Sequence, residues 1–172
     1  MIQNDINLLT KRTKVKVQVF LEYAKSEWFD IFIFESKRTK ERQKDLYGYG
    51  RNMEALRIAW VDVKYARPLE RERTWTLKSK HIVGEAVDIV FDINSDPKVK
   101  IPARNGNYKR LIQIANRCGL YNLAPRETCH FEDDWMSIKV VMEKNSKSRH
   151  KVDEKWKKVL ESINDLFRKY NV

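Results

Sequence analysis

The chain is 172 residues long, enough for one domain with a substantial core and too short for two comfortable ones. Hydrophobic residues make up 42% of it, yet no apolar run approaches the roughly 18 residues of a membrane span, so no membrane-spanning helix is expected. Thirty-five Lys and Arg against 24 Asp and Glu give a formal charge of +11, which favours anionic partners such as nucleic acid, an acidic membrane face or an anionic wall polymer without choosing among them.

In chain order, Ile6, Leu9, Val17, Phe20, Leu21, Ala24 and Trp28 recur at helical spacing and predict one helix or two short ones over the first 28 residues. The β-branched Val15, Val17 and Val19 leave a strand open there. No uninterrupted apolar stretch of the kind a secretory signal needs is visible in this segment. Ile31 to Ser36, IFIFES, reads as a buried strand. A helix follows, with Thr39 as N-cap and Gly48 and Gly50 at its end. Asn52 to Arg73 is charged, broken by Pro68, and reads as irregular with one helical turn.

Ala86 to Phe91, AVDIVF, has strand composition and carries Asp88 between apolar neighbours. Pro97, Pro102 and Gly106 then mark a loop. Tyr108, Leu111, Ile112, Ala115 and Leu120 predict a further helix, with Gly119 as its cap. After Trp135 the chain turns basic, through KNSKSRHK at Lys144 to Lys151. From Asp153 to Tyr170 an amphipathic helix is expected, with Trp156, Leu160, Ile163, Phe167 and Tyr170 on one face. The division expected is a main domain over residues 1–135 and a basic helical extension over 136–172, packed on that domain. Cys118 and Cys129 make no disulfide framework and read as reduced, partly buried thiols.

The chemistry concentrates in two segments that hold two of the three histidines. In Ser79-Lys80-His81-Ile82-Val83-Gly84-Glu85-Ala86-Val87-Asp88 the histidine and the aspartate can turn toward one point, with Gly84 supplying the backbone freedom. Downstream lies Glu127-Thr128-Cys129-His130. Two imidazoles and a carboxylate suit tetrahedral zinc with a fourth position left to water, the pattern of a catalytic rather than a structural site. Glu127, three residues before His130, can reach such a water as general base and return the proton to a leaving amine.

SKHIVGEAVD resembles the SxHxxGxAxD signature of the zinc peptidases that cleave peptidoglycan stem peptides, the D-alanyl-D-alanine carboxypeptidase and VanY group with its related phage L-alanyl-D-glutamate endopeptidases. ETCHFE is similar to that family's second motif. Glu35-Ser36-Lys37-Arg38-Thr39, with Arg42-Gln43, Leu46-Tyr47 and Gly50-Arg51, resembles a third. Cys129 stands where the family usually has tryptophan or proline. Tyr121-Asn122-Leu123-Ala124-Pro125 replaces the Gly-Gly-x-Trp stretch of the phage branch.

The resemblance implies His81, Asp88 and His130 as zinc ligands, Glu127 as catalytic base and Arg38 as the group over the scissile carbonyl. Ser79 and Gln43 would contact substrate or support the ligands. It implies an α+β fold: a small single domain with a central antiparallel sheet packed by helices, a zinc cleft on one face and an extra C-terminal helix. The function expected is a zinc metallopeptidase acting on peptidoglycan, as a D-alanyl-D-alanine carboxypeptidase or, alternatively, an endopeptidase. Stem peptides and anionic cell-wall polymers would be its partners, the periplasm or cell wall its location, and a monomer its state. A nucleic-acid-binding module would leave the His-Asp-Glu-His set without a role. A non-catalytic zinc-bearing domain would need neither Glu127 nor Arg38.

Overall fold

A computed structural model describes residues 2–91, 107–125, 127–135 and 161. The expected loop at Pro97, Pro102 and Gly106, the basic run, and the amphipathic helix over 153–170 with the rest of the extension lie outside the described residues, Glu161 excepted. Helix α1 spans Lys11–Ser26, strand β1 Ile31–Glu35, helix α2 Lys40–Gly48 and helix α3 Met53–Ile58. Strand β2 spans Ala86–Phe91, helix α4 Asn107–Arg117, strand β3 Leu120–Leu123 and strand β4 Glu127–Asp133. Three short 3-10 turns lie at Ile6–Leu8, Val63–Tyr65 and Lys80–Val83. The sheet is antiparallel throughout, in the order β1-β2-β4-β3. The fold is therefore α+β, as the resemblance implies.

Alternation along the two central strands divides the molecule. Val87 and Ile89 of β2 and Phe131 of β4 face a core shared with Phe20 and Tyr23 of α1 and Leu111 and Ile114 of α4, all fully buried. Phe20 and Phe131 meet with ring centroids 5.2 Å apart. Each such side chain stabilises the fold by roughly 2 kcal/mol through removal from water. The intervening residues, Asp88 on β2 with His130 and Glu132 on β4, are left to the opposite face. Hydrophobic patterning thus assigns one face to stability and the other to polar chemistry.

The β-branched run in α1 is helical because Thr10 caps it, accepting from Thr13 N at 3.3 Å, and because its valines pack into the core. Lys16 is fully buried in that helix, and its Nζ lies 2.6 Å from both Asp133 and Asp134. Thr39 caps α2 as expected, accepting from Arg42 N at 3.1 Å. The segment read as irregular holds more structure than one turn: α3, capped by Asn52, and the Val63–Tyr65 turn. Its closest approach is at Gly48, where a Cβ would stand 1.9 Å from the Tyr65 carbonyl oxygen. Leu120, read at helical spacing with Tyr108 to Ala115, opens β3 instead, because Gly119 at φ 76° turns the chain after α4.

Candidate metal centre

His81 is delivered by the Lys80–Val83 turn, which Ser79 caps by accepting from His81 N at 3.3 Å and which Gly84 closes at φ 73°. No other residue fits readily at position 84: a Cβ there would lie 2.8 Å from the Leu8 carbonyl oxygen, in a conformation L side chains rarely adopt. Asp88 and His130 are paired across β2 and β4. Asn122 steadies β4 from its other neighbour, donating to the His130 and Thr128 carbonyls at 2.8 and 2.9 Å.

Three atoms converge. His81 Nε2 lies 3.1 Å from His130 Nδ1 and 3.2 Å from Asp88 Oδ1, and His130 Nδ1 lies 3.0 Å from that same oxygen. Tetrahedral zinc with bonds of about 2.0–2.1 Å places its ligand atoms about 3.3 Å apart, so the triangle fits that ion with a small expansion. The outward nitrogens are also engaged: His81 Nδ1 is 3.0 Å from the Ser36 carbonyl oxygen and His130 Nε2 is 3.0 Å from Glu132 Oε1. Those contacts turn the remaining nitrogen of each ring toward the common point. Among the described residues these three form the group able to hold a metal ion.

The local field favours positive charge at this point. Burial works against a charged His130, but hydrogen bonds to Asp88 and Glu132 outweigh it and raise its pKa to about 9. Burial likewise opposes the Asp88 carboxylate, which His81 and His130 nevertheless hold well below the ordinary range. A cation replacing the shared protons satisfies the same carboxylate and frees both ring lone pairs for coordination.

A cleft of about 570 Å³ opens over the triangle, walled by Arg38, Arg73, Trp75, Lys78, Ser79 and Glu127 among others. Glu127 Oε2 is 4.0 Å from His130 Nδ1. Burial raises the Glu127 pKa, with Asp88 adding to it against the lowering effect of His130. Arg38 stands with Nη2 3.6 Å from Asp88 Oδ2. Its guanidinium is gripped by Glu35, 3.0 Å from Nε, and by Gln43, whose Oε1 accepts from Nη1 at 2.8 Å.

All the residues singled out in the sequence come together around this cleft, in unequal positions. Gln43 is 1% exposed; its Oε1 accepts from Arg38 and its Nε2 donates to the Thr76 carbonyl, so its side chain faces protein rather than the cleft. Ser79 both lines the cleft and caps the His81 turn. Two participants were not predicted for their roles. Glu35 reaches Arg38 because a register shift between Ile33 and Glu35 pairs it with Asp88, on the polar face, where regular alternation would have placed Phe34. Glu132 alternates with His130 on β4, and that period of two is the signal that could have found it.

No protein-family model matches the sequence, and no curated protein matches it. Solved structures do resemble the fold. Vancomycin-resistance D,D-pentapeptidase VanY from a VanB-type resistance cassette, in complex with Zn(II), is 18% identical over 78% of this chain and 76% of its own, with a TM-score of 0.51. The L-Ala D-Glu endopeptidase ChiX of Serratia marcescens is 18% identical over 74% of this chain and 81% of its own, with a TM-score of 0.45.

Proposed function

We propose that this chain is a zinc-dependent peptidase that hydrolyses peptidoglycan stem peptides, with the terminal D-alanyl-D-alanine bond as its target. The observation that carries the reading is the convergence of His81 Nε2, Asp88 Oδ1 and His130 Nδ1 beneath a cleft flanked by Glu127 and Arg38. The fold it shares with VanY, a D,D-pentapeptidase in complex with Zn(II), supports it.

His81, Asp88 and His130 would hold the ion, which supplies Lewis acidity toward a peptide carbonyl and toward water. Glu127 is the proton carrier: it takes a proton from the attacking water and hands it to the leaving amine. Its raised pKa, set first by burial, makes its carboxylate a stronger base than an exposed glutamate. Arg38, fixed by Glu35 and Gln43, meets negative charge developing on the scissile carbonyl oxygen and pays little reorganisation for doing so. Ser79 holds the His81 turn and borders the substrate. Arg73 and Lys78 on the cleft wall suit the carboxylates of a stem peptide. Such an enzyme acts at the wall, in the periplasm or at the cell surface, where its net charge of +11 also draws it to anionic wall polymers.

Mass spectrometry of tetra- and pentapeptide muropeptides incubated with the zinc-loaded protein, beside a chelated control, tests this. Loss of one alanine from the pentapeptide alone is the expected result. Release of a fragment headed by D-Glu would assign the endopeptidase instead. Zinc bound at full occupancy with neither substrate cut would contradict the peptidase reading and leave a metal-binding domain.

A further inference from the structure

Lys78 and Ser79 line two cavities, the metal cleft and a second groove of about 460 Å³. The groove has an apolar lining that includes Val61 and Ile82, with the exposed Trp60, Lys40 and Lys44 at its rim. Its size falls within the range of about 300–1,000 Å³ usual for small-molecule sites.

The rim is electrostatically unfavourable as it stands. Lys40 and Lys44 are one turn apart on α2, a like-charge pair that destabilises a helix. Lys40 is also the first residue of α2, at the end where the helix dipole disfavours a cation. The nearby acid, Asp62, pairs with Lys64, its carboxylate 3.2 Å from Nζ and 2.9 Å from the backbone N, and feels the charge of Lys44 only as a weaker, longer-range attraction. Among the described residues no hydrogen bond or ion pair engages the ammonium of Lys40 or Lys44. An anion seated between them relieves both penalties.

Trp60 adds an independent observation. It is 94% exposed and holds φ 56°, the left-handed region that a glycine would occupy after α3 without strain. Trp28 and Trp135 are likewise exposed at positive φ, so it is the placement of Trp60 on the groove, rather than its backbone, that bears on a ligand. It suits a flat, partly apolar ligand.

We infer that the groove binds the sugar-linked end of the stem peptide being cut, with an amino-sugar face on Trp60 and a stem carboxylate between Lys40 and Lys44; this rests on the peptidase reading above. Lys78 and Ser79 border both cavities, so a substrate long enough to pass over them can reach from one to the other. The groove is concave and adjoins the cleft, which fits a strand of the same polymer better than a flat lipid surface.

The test compares free stem pentapeptide with the same pentapeptide joined to its disaccharide. The zinc-loaded protein is expected to show a kcat/KM higher by about tenfold on the linked substrate, equivalent to about 1.4 kcal/mol of added binding. Trp60→Ala should remove that advantage by raising KM for the linked substrate alone, with kcat and the free-peptide kinetics unchanged, whereas Lys44→Glu should raise KM for both substrates, because both carry the stem carboxylate. Equal kcat/KM for the two substrates in the wild type would overturn the inference, as would losses shared equally by both in Trp60→Ala. Calorimetric binding of the disaccharide pentapeptide gives a readout independent of hydrolysis. If no substrate is cut, the peptidase reading fails, while weaker binding by Trp60→Ala would still support the groove and unchanged binding would overturn it. Loss of sedimentation with phosphatidylglycerol vesicles in both variants, with muropeptide binding intact, would make the groove a membrane contact and overturn it too.

Discussion

His130 donates its Nε2 proton to Glu132 Oε1 at 3.0 Å, so it is Nδ1 that faces Asp88 Oδ1. His81 does the reverse, anchoring Nδ1 on the Ser36 carbonyl and presenting Nε2. Each ring is held by the atom it does not offer to the common point.

Removing that anchor should loosen the metal. Glu132→Ala is expected to weaken zinc affinity about 10- to 100-fold while leaving the fold intact, because the ligand atoms themselves remain. Competition with a chromophoric chelator, beside circular dichroism, measures both. An unchanged affinity would mean that β4 alone orients the ring.

Arg38 should separate chemistry from metal binding. Arg38→Lys retains charge but loses the fork that Glu35 and Gln43 hold. The expected loss is about 100-fold in kcat on a stem pentapeptide, equivalent to about 3 kcal/mol, with zinc content unchanged. A rise in KM alone would instead make Arg38 a binding group for the substrate carboxylate.

The buried ion pair beneath the sheet should govern acid stability. Burial would raise the Asp133 pKa, but hydrogen bonds from Lys16 and Arg12 prevail and hold it below its ordinary value of 3.8. A carboxyl depressed in the folded state contributes its stability in full above the ordinary range and loses it as pH falls through the depressed value. Thermal melts of the wild type should therefore fall off below about pH 4. Asp133→Asn should cost about 3 kcal/mol at neutral pH, because it removes one of the two carboxylates paired with the fully buried Lys16, and should flatten that acid dependence. A variant as stable as the wild type would show that Asp134 suffices.

Gly84→Ala tests the turn that delivers His81. Strain at φ 73° and an approach of 2.8 Å to the Leu8 carbonyl predict a loss of about 1–3 kcal/mol in urea unfolding, with weaker zinc binding as the turn shifts. Destabilisation without any change in zinc affinity would show that the turn relaxes away from His81.

Much of the site was legible because its residues sit in short local motifs. Gly84 and Ser79 flag the turn around His81, strand composition flags Asp88, and Thr39 flags the start of α2. What escaped the sequence depends on contacts between distant segments. The shift that pairs Glu35 with Asp88 arises only when β1 meets β2, and nothing within IFIFES announces it. Gln43 reads as a substrate contact or a supporting group because an exposed and a buried amide look alike in sequence; its burial against Arg38, Thr74 and Thr76 is visible only in the fold. α3 was underestimated because its one fully buried side chain, Leu56, makes no helical stripe. Asn122 gave no signal because its amide works across strands.

Zinc content and pentapeptide hydrolysis, measured side by side in the wild type, Glu127→Ala and His81→Ala, test the metal-centred peptidase most directly. Glu127→Ala is expected to keep zinc at the wild-type level and to lose hydrolysis by at least about 100-fold, while His81→Ala loses both. Full turnover by Glu127→Ala, or wild-type zinc in His81→Ala, would contradict it.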